Sequence, residues 1–176
     1  MKLYRFSPIE NAGQLVKAIE HVHFACFQLC KNFFGHDLPV AGNIGIFCHY
    51  DKEYEVLTKL RQKLTEESDS INQKYYKFHE PIVISARGDV PETTYTYLYI
   101  RKPDPYRAHV GDVDFVLEEK KYEKLKASLS KGIPIKNARV FERPELDMVE
   151  LYDPDVDAIA YVSPRNITVK VRTKII

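Results

Sequence analysis

The sequence predicts an α+β protein in which two βαβββ modules form one cupped mixed sheet, with an added N-terminal helix. The chain has 176 residues, enough for one core that buries roughly 70% of the extended chain's surface. Segments with helical period alternate along it with segments of period two. The order strand, helix and three strands also occurs twice, which indicates an internal duplication.

Composition narrows the classes of function. Hydrophobic residues make up 44%, charged residues 29%, and the formal net charge is +1. This balance gives no general attraction to nucleic acid or to anionic lipid, so neither is a predicted partner. We find neither an apolar run long enough for a membrane span nor a secretory leader. Three cysteines in apolar contexts predict reduced thiols and a cytoplasmic location.

Residues 1–38 form a predicted N-terminal helical segment. Ser7 is expected to cap the helix with Pro8 in its first turn, and Gly35 to end it. Apolar residues recur at steps of three and four, at Leu15, Ile19, Val22, Cys26, Leu29 and Phe33. This stripe predicts a helix that covers the sheet.

Residues 39–104 form the predicted first module and residues 105–176 the second, within a single compact domain. The first contains a strand in NIGIFCHY, a helix from Asp51, and the β-rich stretches YYKFHEPIVISA and TTYTYLYIR. The second contains GDVDFVL, a helix around KKYEKLKASL, then ARVFER, MVELYD and AIAYVS. Its tail, NITVKVRTKII, alternates and is predicted to form a last edge strand.

The evidence for the duplication is a set of positions in the first module that match positions in the second in the same order along the chain. They include Gly42 with Gly111, Ile44 with Val113, Tyr54 with Tyr122, Leu57 with Leu125, Pro81 with Pro144, and Pro103 with Pro154. Two such units are expected to pair about a pseudo-twofold axis and to leave a concave sheet between them.

Period-two alternation predicts which side chains line that cup. They are Tyr95, Tyr97, Tyr99, Arg101, Asp112, Asp114, Met148, Glu150 and Tyr152. Such a surface suits a small polar molecule, with Arg101 pairing its carboxylate or phosphate and the acids taking an amine or hydroxyl. In the alternative, Arg101 bridges Asp112 or Glu150 and the tyrosines only pack across strands.

Whether the chain is an enzyme stays open at this stage. If it is, Glu150 or Asp112 is the expected catalytic base, because burial raises a carboxyl pKa toward the working range. The reaction would be that of a metal-assisted or acid-base lyase, isomerase or hydrolase. A third hypothesis is a protein-interaction module that uses the exposed final strand. His23, Cys26 and Cys30, spaced like metal ligands on one helix, are expected to be core residues.

The paired units resemble the vicinal oxygen chelate superfamily, which includes glyoxalases, extradiol dioxygenases and antibiotic-resistance binding proteins. Within it, the stretch from Leu38 to Leu117 resembles the YecM-like bacterial branch. That similarity is carried by LPVAGNIGIFCH, KYYKFHEPIVI and VGDVDFVL. The resemblance implies a ligand site in the cup and, since relatives often form dimers, a homodimer.

The resemblance also implies metal ligands at four positions: Asn43, Arg101 with Tyr99 as the alternative register, Asp112 and Glu150. Asn43 stands where that branch offers histidine, and Arg101 has donors only and would repel a cation. Two carboxylates leave room for a divalent cation such as magnesium or calcium, but no metal or cofactor is firmly predicted. The leading hypothesis is therefore a small-molecule-binding protein with a degenerate metal site. Its predicted ligand-binding residues are Arg101, Tyr99, Tyr97, Asn43, Asp114 and Tyr152.

Overall fold

The computed structural model describes residues 5–70, 72–141 and 146–172. In these residues it contains four helices and seven strands, which confirms the predicted α+β class. In chain order the elements are α1 (Ala12–Phe34), β1 (Val40–Phe47), α2 (Asp51–Leu64), β2 (Tyr76–Ile84), β3 (Thr93–Arg101), β4 (Gly111–Val116), α3 (Glu119–Ser130), β5 (Ala138–Phe141), β6 (Met148–Leu151), β7 (Ala158–Ser163) and α4 (Arg165–Val171).

All seven strands form one open mixed sheet in the order β2-β3-β1-β4-β7-β6-β5. The antiparallel pair of β1 and β4 lies at its centre. Outward from this pair, β3 runs parallel to β1 and β7 runs parallel to β4. The order is nearly symmetrical about the centre, with three strands from the first unit and four from the second. The first unit therefore has one strand fewer than the βαβββ pattern, and its edge strand β2 is irregular between Lys77 and Ile82.

The main core lies between one face of the sheet and helices α1, α2 and α3. The predicted stripe of α1 is buried there against residues such as Ile44, Val113 and Val162. His23, Cys26 and Cys30 are buried in the same layer, as expected. His23 Nδ1 lies 2.9 Å from the Tyr95 hydroxyl, and burial lowers the pKa of His23 to about 4. No helix of the described ranges is long and apolar enough to cross a membrane.

Tyr95 corrects one prediction, because it lies in the helix-covered core and not in the cup. Leu98, an odd number of positions later on β3, is buried in the same layer. The side-chain alternation of β3 therefore changes phase between the two residues. The change coincides with the irregular pairing of β2 with β3, and irregular pairing of this kind redirects side chains.

Both termini also differ from the prediction. Helix α1 begins at Ala12 and is capped by Asn11, whose side chain accepts from the Gln14 amide. Ser7 does not cap it and instead contacts His49, with Oγ 2.6 Å from Nδ1.

The predicted edge strand at the C-terminus is a helix, α4, from Arg165 to Val171, and positions 173–176 lie outside the described residues. Thr168 and Val171, one helical turn apart, are both buried. This burial overrides the β-propensity of the segment. The strand on which the interaction-module hypothesis depended is thus not formed by these residues.

Candidate functional site

The polar cup lies on the face of the sheet opposite α1. Its side chains come from every central strand and include Asn43, Phe47, Tyr97, Tyr99, Arg101, Asp112, Asp114, Met148, Glu150 and Tyr161. Helix α4 and the residues just before β2 cover part of this face, where Tyr75 and Val171 join a second buried cluster with Phe47 and Tyr161. The segment is fixed to α4 because the backbone amides of Lys74 and Tyr75 both donate to the Arg172 carbonyl, at 3.0 Å.

Asp112 is the central acid of the cup. It is 2% exposed and accepts a hydrogen bond from the Tyr75 hydroxyl, at 3.3 Å. Its neighbour across the central strand pair is Gly45, where a Cβ would lie 2.0 Å from Asp112 Oδ1. Only glycine leaves room for this carboxylate. Burial raises the pKa of Asp112, an effect that the nearby Lys74 and Arg101 oppose.

A cavity of about 40 Å³ lies beside Asp112. Its wall is formed by Phe47, Lys74, Tyr99, Arg101, Asp112, Phe141, Met148 and Tyr161. A water needs about 10 to 15 Å³ of such space, so the cavity has room for a terminal hydroxyl, amine or carbonyl of a ligand. Burial raises the pKa of Tyr99 to about 12, so its hydroxyl is protonated at neutral pH.

The cavity adjoins a larger groove of about 700 Å³. Lys74, Tyr99 and Arg101 line both. A volume of this size is typical of small-molecule sites. The buried acid thus lies in a small cavity that neighbours a larger groove.

Asp114, Asn43 and Arg172 form a separate network under α4. Asn43 Nδ2 donates to Asp114 Oδ2 at 2.8 Å, and Arg172 Nε donates to Asn43 Oδ1 at 2.8 Å. Burial, together with the charge of Asp112, raises the pKa of Asp114 to about 6. The Arg172 guanidinium also lies 4.1 Å from the ring centroid of Tyr97. Two predicted ligand residues, Asn43 and Tyr97, therefore contact Arg172 at the end of the C-terminal helix, and Asn43 in turn binds a third, Asp114.

Glu150 is saturated by partners. Arg107 Nη1 and the Tyr161 hydroxyl each donate to Oε2 at 3.0 Å, and Arg139 Nε donates to Oε1 at 2.8 Å. Burial alone would raise the pKa of Glu150, but the two guanidinium groups hold it below its usual range. Arg139 also stacks on Tyr152, 5.1 Å from its ring centroid. Glu150 is consequently a fixed anion in this arrangement.

Arg101 does not form the bridge to Asp112 or Glu150 that the alternative interpretation required. It pairs with Asp104, three residues along the chain. Its guanidinium also lies 4.8 Å from the Phe47 ring centroid. Arg101 thus lines the cavity while Asp104, which lies outside the cavity, partly balances its charge.

The residues at the positions that the resemblance assigns to a metal do not fit one. Asn43 accepts from Arg172, and Glu150 from two arginines, so cationic side chains already satisfy two of the four positions. Arg101, at the third, repels a cation. Within the described ranges, no three His, Cys, Asp or Glu side chains come together as a ligand set. We therefore derive no chemistry through a metal.

Several residues of the site were missed from the sequence. Phe47 has the same parity as Asn43 on β1, so the period-two test would have placed it in the cup. Tyr161 lies on AIAYVS, which is buried at every position and carries no alternation that assigns its faces. Lys74 and Tyr75 precede a strand and carry no periodic signal. Arg172 was missed because its segment was interpreted as a strand.

The structure is similar to that of Protein EC4020, a structural-genomics target, with 14% identity, 97% of this chain and 98% of that chain covered, and a TM-score of 0.57. At that identity the likeness shows the fold alone. A Streptomyces coelicolor methylmalonyl-CoA epimerase, in complex with 2-nitronate-propionyl-CoA, matches 72% of this chain and 99% of that chain at 18% identity. Its TM-score of 0.31 is too low to support an argument. No family model matches the chain, and no curated protein matches it.

Proposed function

We propose that this chain is a cytoplasmic small-molecule-binding protein of vicinal-oxygen-chelate-like fold, with its ligand site in the cup. The observation that carries the proposal is the buried Asp112 carboxylate beside a small cavity that shares Lys74, Tyr99 and Arg101 with a larger groove. The sheet order has β1 and β4 at its centre, each flanked by a parallel strand, and this order supports the assignment to a vicinal-oxygen-chelate-like fold.

The chemistry of the cavity restricts the ligand. Asp112 accepts a hydrogen bond from a hydroxyl or an amine, while the protonated hydroxyl of Tyr99 can donate to a carbonyl. The cavity admits one small terminal group, so the body of the ligand lies in the groove. A small polar molecule with a hydroxyl, amine or carbonyl at one end meets these conditions.

A second candidate is acid-base catalysis by Asp112. The observation that favours it is the raised pKa of this carboxyl at the cavity wall, because a base works best when its pKa approaches the working pH. Glu150 is unsuited to this role, since its oxygens accept from two arginines and a tyrosine. In this mechanism Asp112 removes a proton from a ligand atom in the cavity and returns it to the same ligand.

The test compares the wild type with Asp112→Asn by ligand-observed NMR, using a panel of small hydroxy acids, amino alcohols and their phosphate esters. The matched control is Asp155→Asn, which changes an exposed acid. Panel members that bind the wild type are expected to lose about tenfold in affinity with Asp112→Asn and nothing with the control. The proposal is wrong if no panel member binds, or if Asp112→Asn binds all ligands equally well.

The same samples in deuterium oxide separate binding from catalysis. Exchange of a carbon-bound ligand proton by the wild type, absent with Asp112→Asn, would support the acid-base candidate. Binding with no exchange would support the binding protein.

A further inference from the structure

The groove beside the cup has a composition of its own. It lies between α2, the end of β3 and the loop at 103–106. Its side chains include Tyr54, Arg61, Lys74, Tyr76, Tyr99, Arg101, Lys102, Asp104 and Tyr106. Among the described residues, four cationic side chains and one carboxylate line it, whereas the whole chain carries a net +1. Positive charge is therefore concentrated in this groove.

All four of these cations lie over aromatic rings. The Arg61 guanidinium lies 3.5 Å from the ring centroid of Tyr76, and Lys102 Nζ lies 5.9 Å from that of Tyr54. In the described part of the chain, neither Arg61 nor Lys102 forms an ion pair with a carboxylate. An aromatic face orients a cation without using its N–H groups. Those groups remain available to an anion in the groove.

The single acid of the groove stabilises its rim. Asp104 pairs with Arg101 and also accepts from the Tyr106 backbone amide, at 2.8 Å. Tyr106 is 91% exposed and stands at the outer edge. Asp104 therefore neutralises Arg101, and Lys74 lies near Asp112 at the neighbouring cavity. Arg61 and Lys102 are the cations of the groove that have no ion-paired carboxylate among the described residues.

We infer that the groove binds the phosphate or diphosphate group of a small molecule whose other end reaches Asp112. The inference rests on the proposed function, because it specifies the ligand of the same site. The two cations without an ion-paired carboxylate, Arg61 and Lys102, match a phosphate dianion or a diphosphate better than a single carboxylate. The planar guanidinium groups of Arg61 and Arg101 offer paired donors that suit phosphate oxygens.

Isothermal titration with pyrophosphate tests the groove without requiring the complete ligand. The variant is the double substitution Arg61→Gln and Lys102→Gln, and the control is Lys63→Gln, which removes an exposed charge from the same helix outside the groove. At about 0.15 M salt, where charges beyond roughly 8 Å are screened, we expect millimolar or tighter binding by the wild type. The double variant should lose about tenfold and the control nothing. Circular dichroism melting confirms that each variant is folded.

The inference is overturned if about 10 mM pyrophosphate fails to bind, or if Lys63→Gln weakens binding as much as the double variant. It is also overturned if a single-stranded oligonucleotide binds while pyrophosphate does not. Asp112→Asn separates the two proposals, because removing a negative charge beside Lys74 and Arg101 should not weaken pyrophosphate binding, whereas a ligand that depends on Asp112 should lose affinity. Pyrophosphate binding without any Asp112-dependent ligand would leave the groove as an anion site and refute the cup. If a ligand binds in an Asp112-dependent way but pyrophosphate does not bind, the ligand site in the cup stands and the anion site in the groove is refuted.

Discussion

Asp112 and Glu150 lie on the same face of the same sheet, yet the pKa of Asp112 is raised and that of Glu150 is lowered. Both are buried, at 2% and 0% exposure. Asp112 accepts one long hydrogen bond, from Tyr75, and burial raises its pKa. Glu150 accepts from Arg107, Arg139 and Tyr161, and its pKa is lowered. Burial is common to both, so the number of direct donors decides the difference.

This comparison separates a structural acid from a candidate functional one. A carboxylate whose oxygens are satisfied by arginines is stabilised as an anion and has little capacity left for a ligand. A carboxylate that is buried with few donors is held at a cost and retains acceptor capacity. Asp112 combines this state with a cavity at its side, and Glu150 does not.

The largest effect is expected from Glu150→Gln. Removing one partner of a buried ion pair leaves the other charge uncompensated, so the free energy of unfolding at pH 7 should fall by about 3 kcal/mol. Arg107, only 12% exposed, accounts for most of this loss, since Arg139 is 56% exposed. Urea denaturation measures the change, with Asp155→Asn as a control expected to stay within about 0.5 kcal/mol.

The pH dependence of that loss follows from its sign. Because the pKa of Glu150 is lowered in the folded state, its stabilisation is present above the unfolded pKa of about 4.3 and disappears as the pH falls through the folded value. The gap between wild type and Glu150→Gln should therefore narrow below about pH 4. Equal stabilities at pH 7 would contradict the structural role of Glu150.

Strand periodicity predicted that both acids lie in the cup, but it could not predict which of them is paired with arginines and which is available to a ligand. Alternation within DMVELYD and GDVDFVL needs only the sequence, whereas the partners of Glu150 come from other segments. Arg107 lies in the connection before β4, and Arg139 lies opposite Glu150 on β5. Their positions depend on tertiary pairing, for which a single sequence carries no signal.

Two predictions that the structure corrects, the facing of Tyr95 and the strand at the C-terminus, failed for a similar reason. Tyr95 was placed on the wrong face because pairing irregularities are set by neighbouring strands. The last segment was predicted as a strand because Ile167, Thr168 and Val171 favour β structure locally, although their burial against the cup requires a helix. Local sequence preference predicted the secondary structure and the facing of side chains correctly where strands pair regularly. It failed at Tyr95 and in the last segment, where contacts with distant parts of the chain determine the structure.

Asp114→Asn should produce a smaller effect of opposite sign. Burial raises the pKa of Asp114 to about 6, so the folded state is penalised above that pH relative to an unfolded pKa of about 3.9. Among the described residues, its Oδ1 atom has no hydrogen-bond partner, while Oδ2 accepts from Asn43. An amide keeps the second contact and removes the charge. We expect stability to rise by about 1 to 2 kcal/mol at pH 7.5.

The same variant should gain nothing near pH 4, because the wild-type carboxyl is then protonated in the folded protein and the penalty has disappeared. Thermal melting at the two pH values measures the difference. A gain of equal size at both would show that the effect is one of packing. A loss at pH 7.5 would show that the Asp114 charge is compensated in the folded protein, which would contradict the raised pKa of this carboxyl.

Asp104→Asn changes a third acid, at the groove, and is expected to have the smallest effect on stability. Asp104 has one arginine partner, and the two side chains are 23% and 21% exposed, so losing the pair should cost under about 1 kcal/mol. The amide oxygen can still accept from the Tyr106 amide and hold the rim. Removing the charge should strengthen pyrophosphate binding about two- to fivefold, because Arg101 is then balanced only by the ligand. Titration of this variant beside the wild type measures both consequences, and weaker pyrophosphate binding would mean that Asp104 orients Arg101 for the anion instead of competing with it.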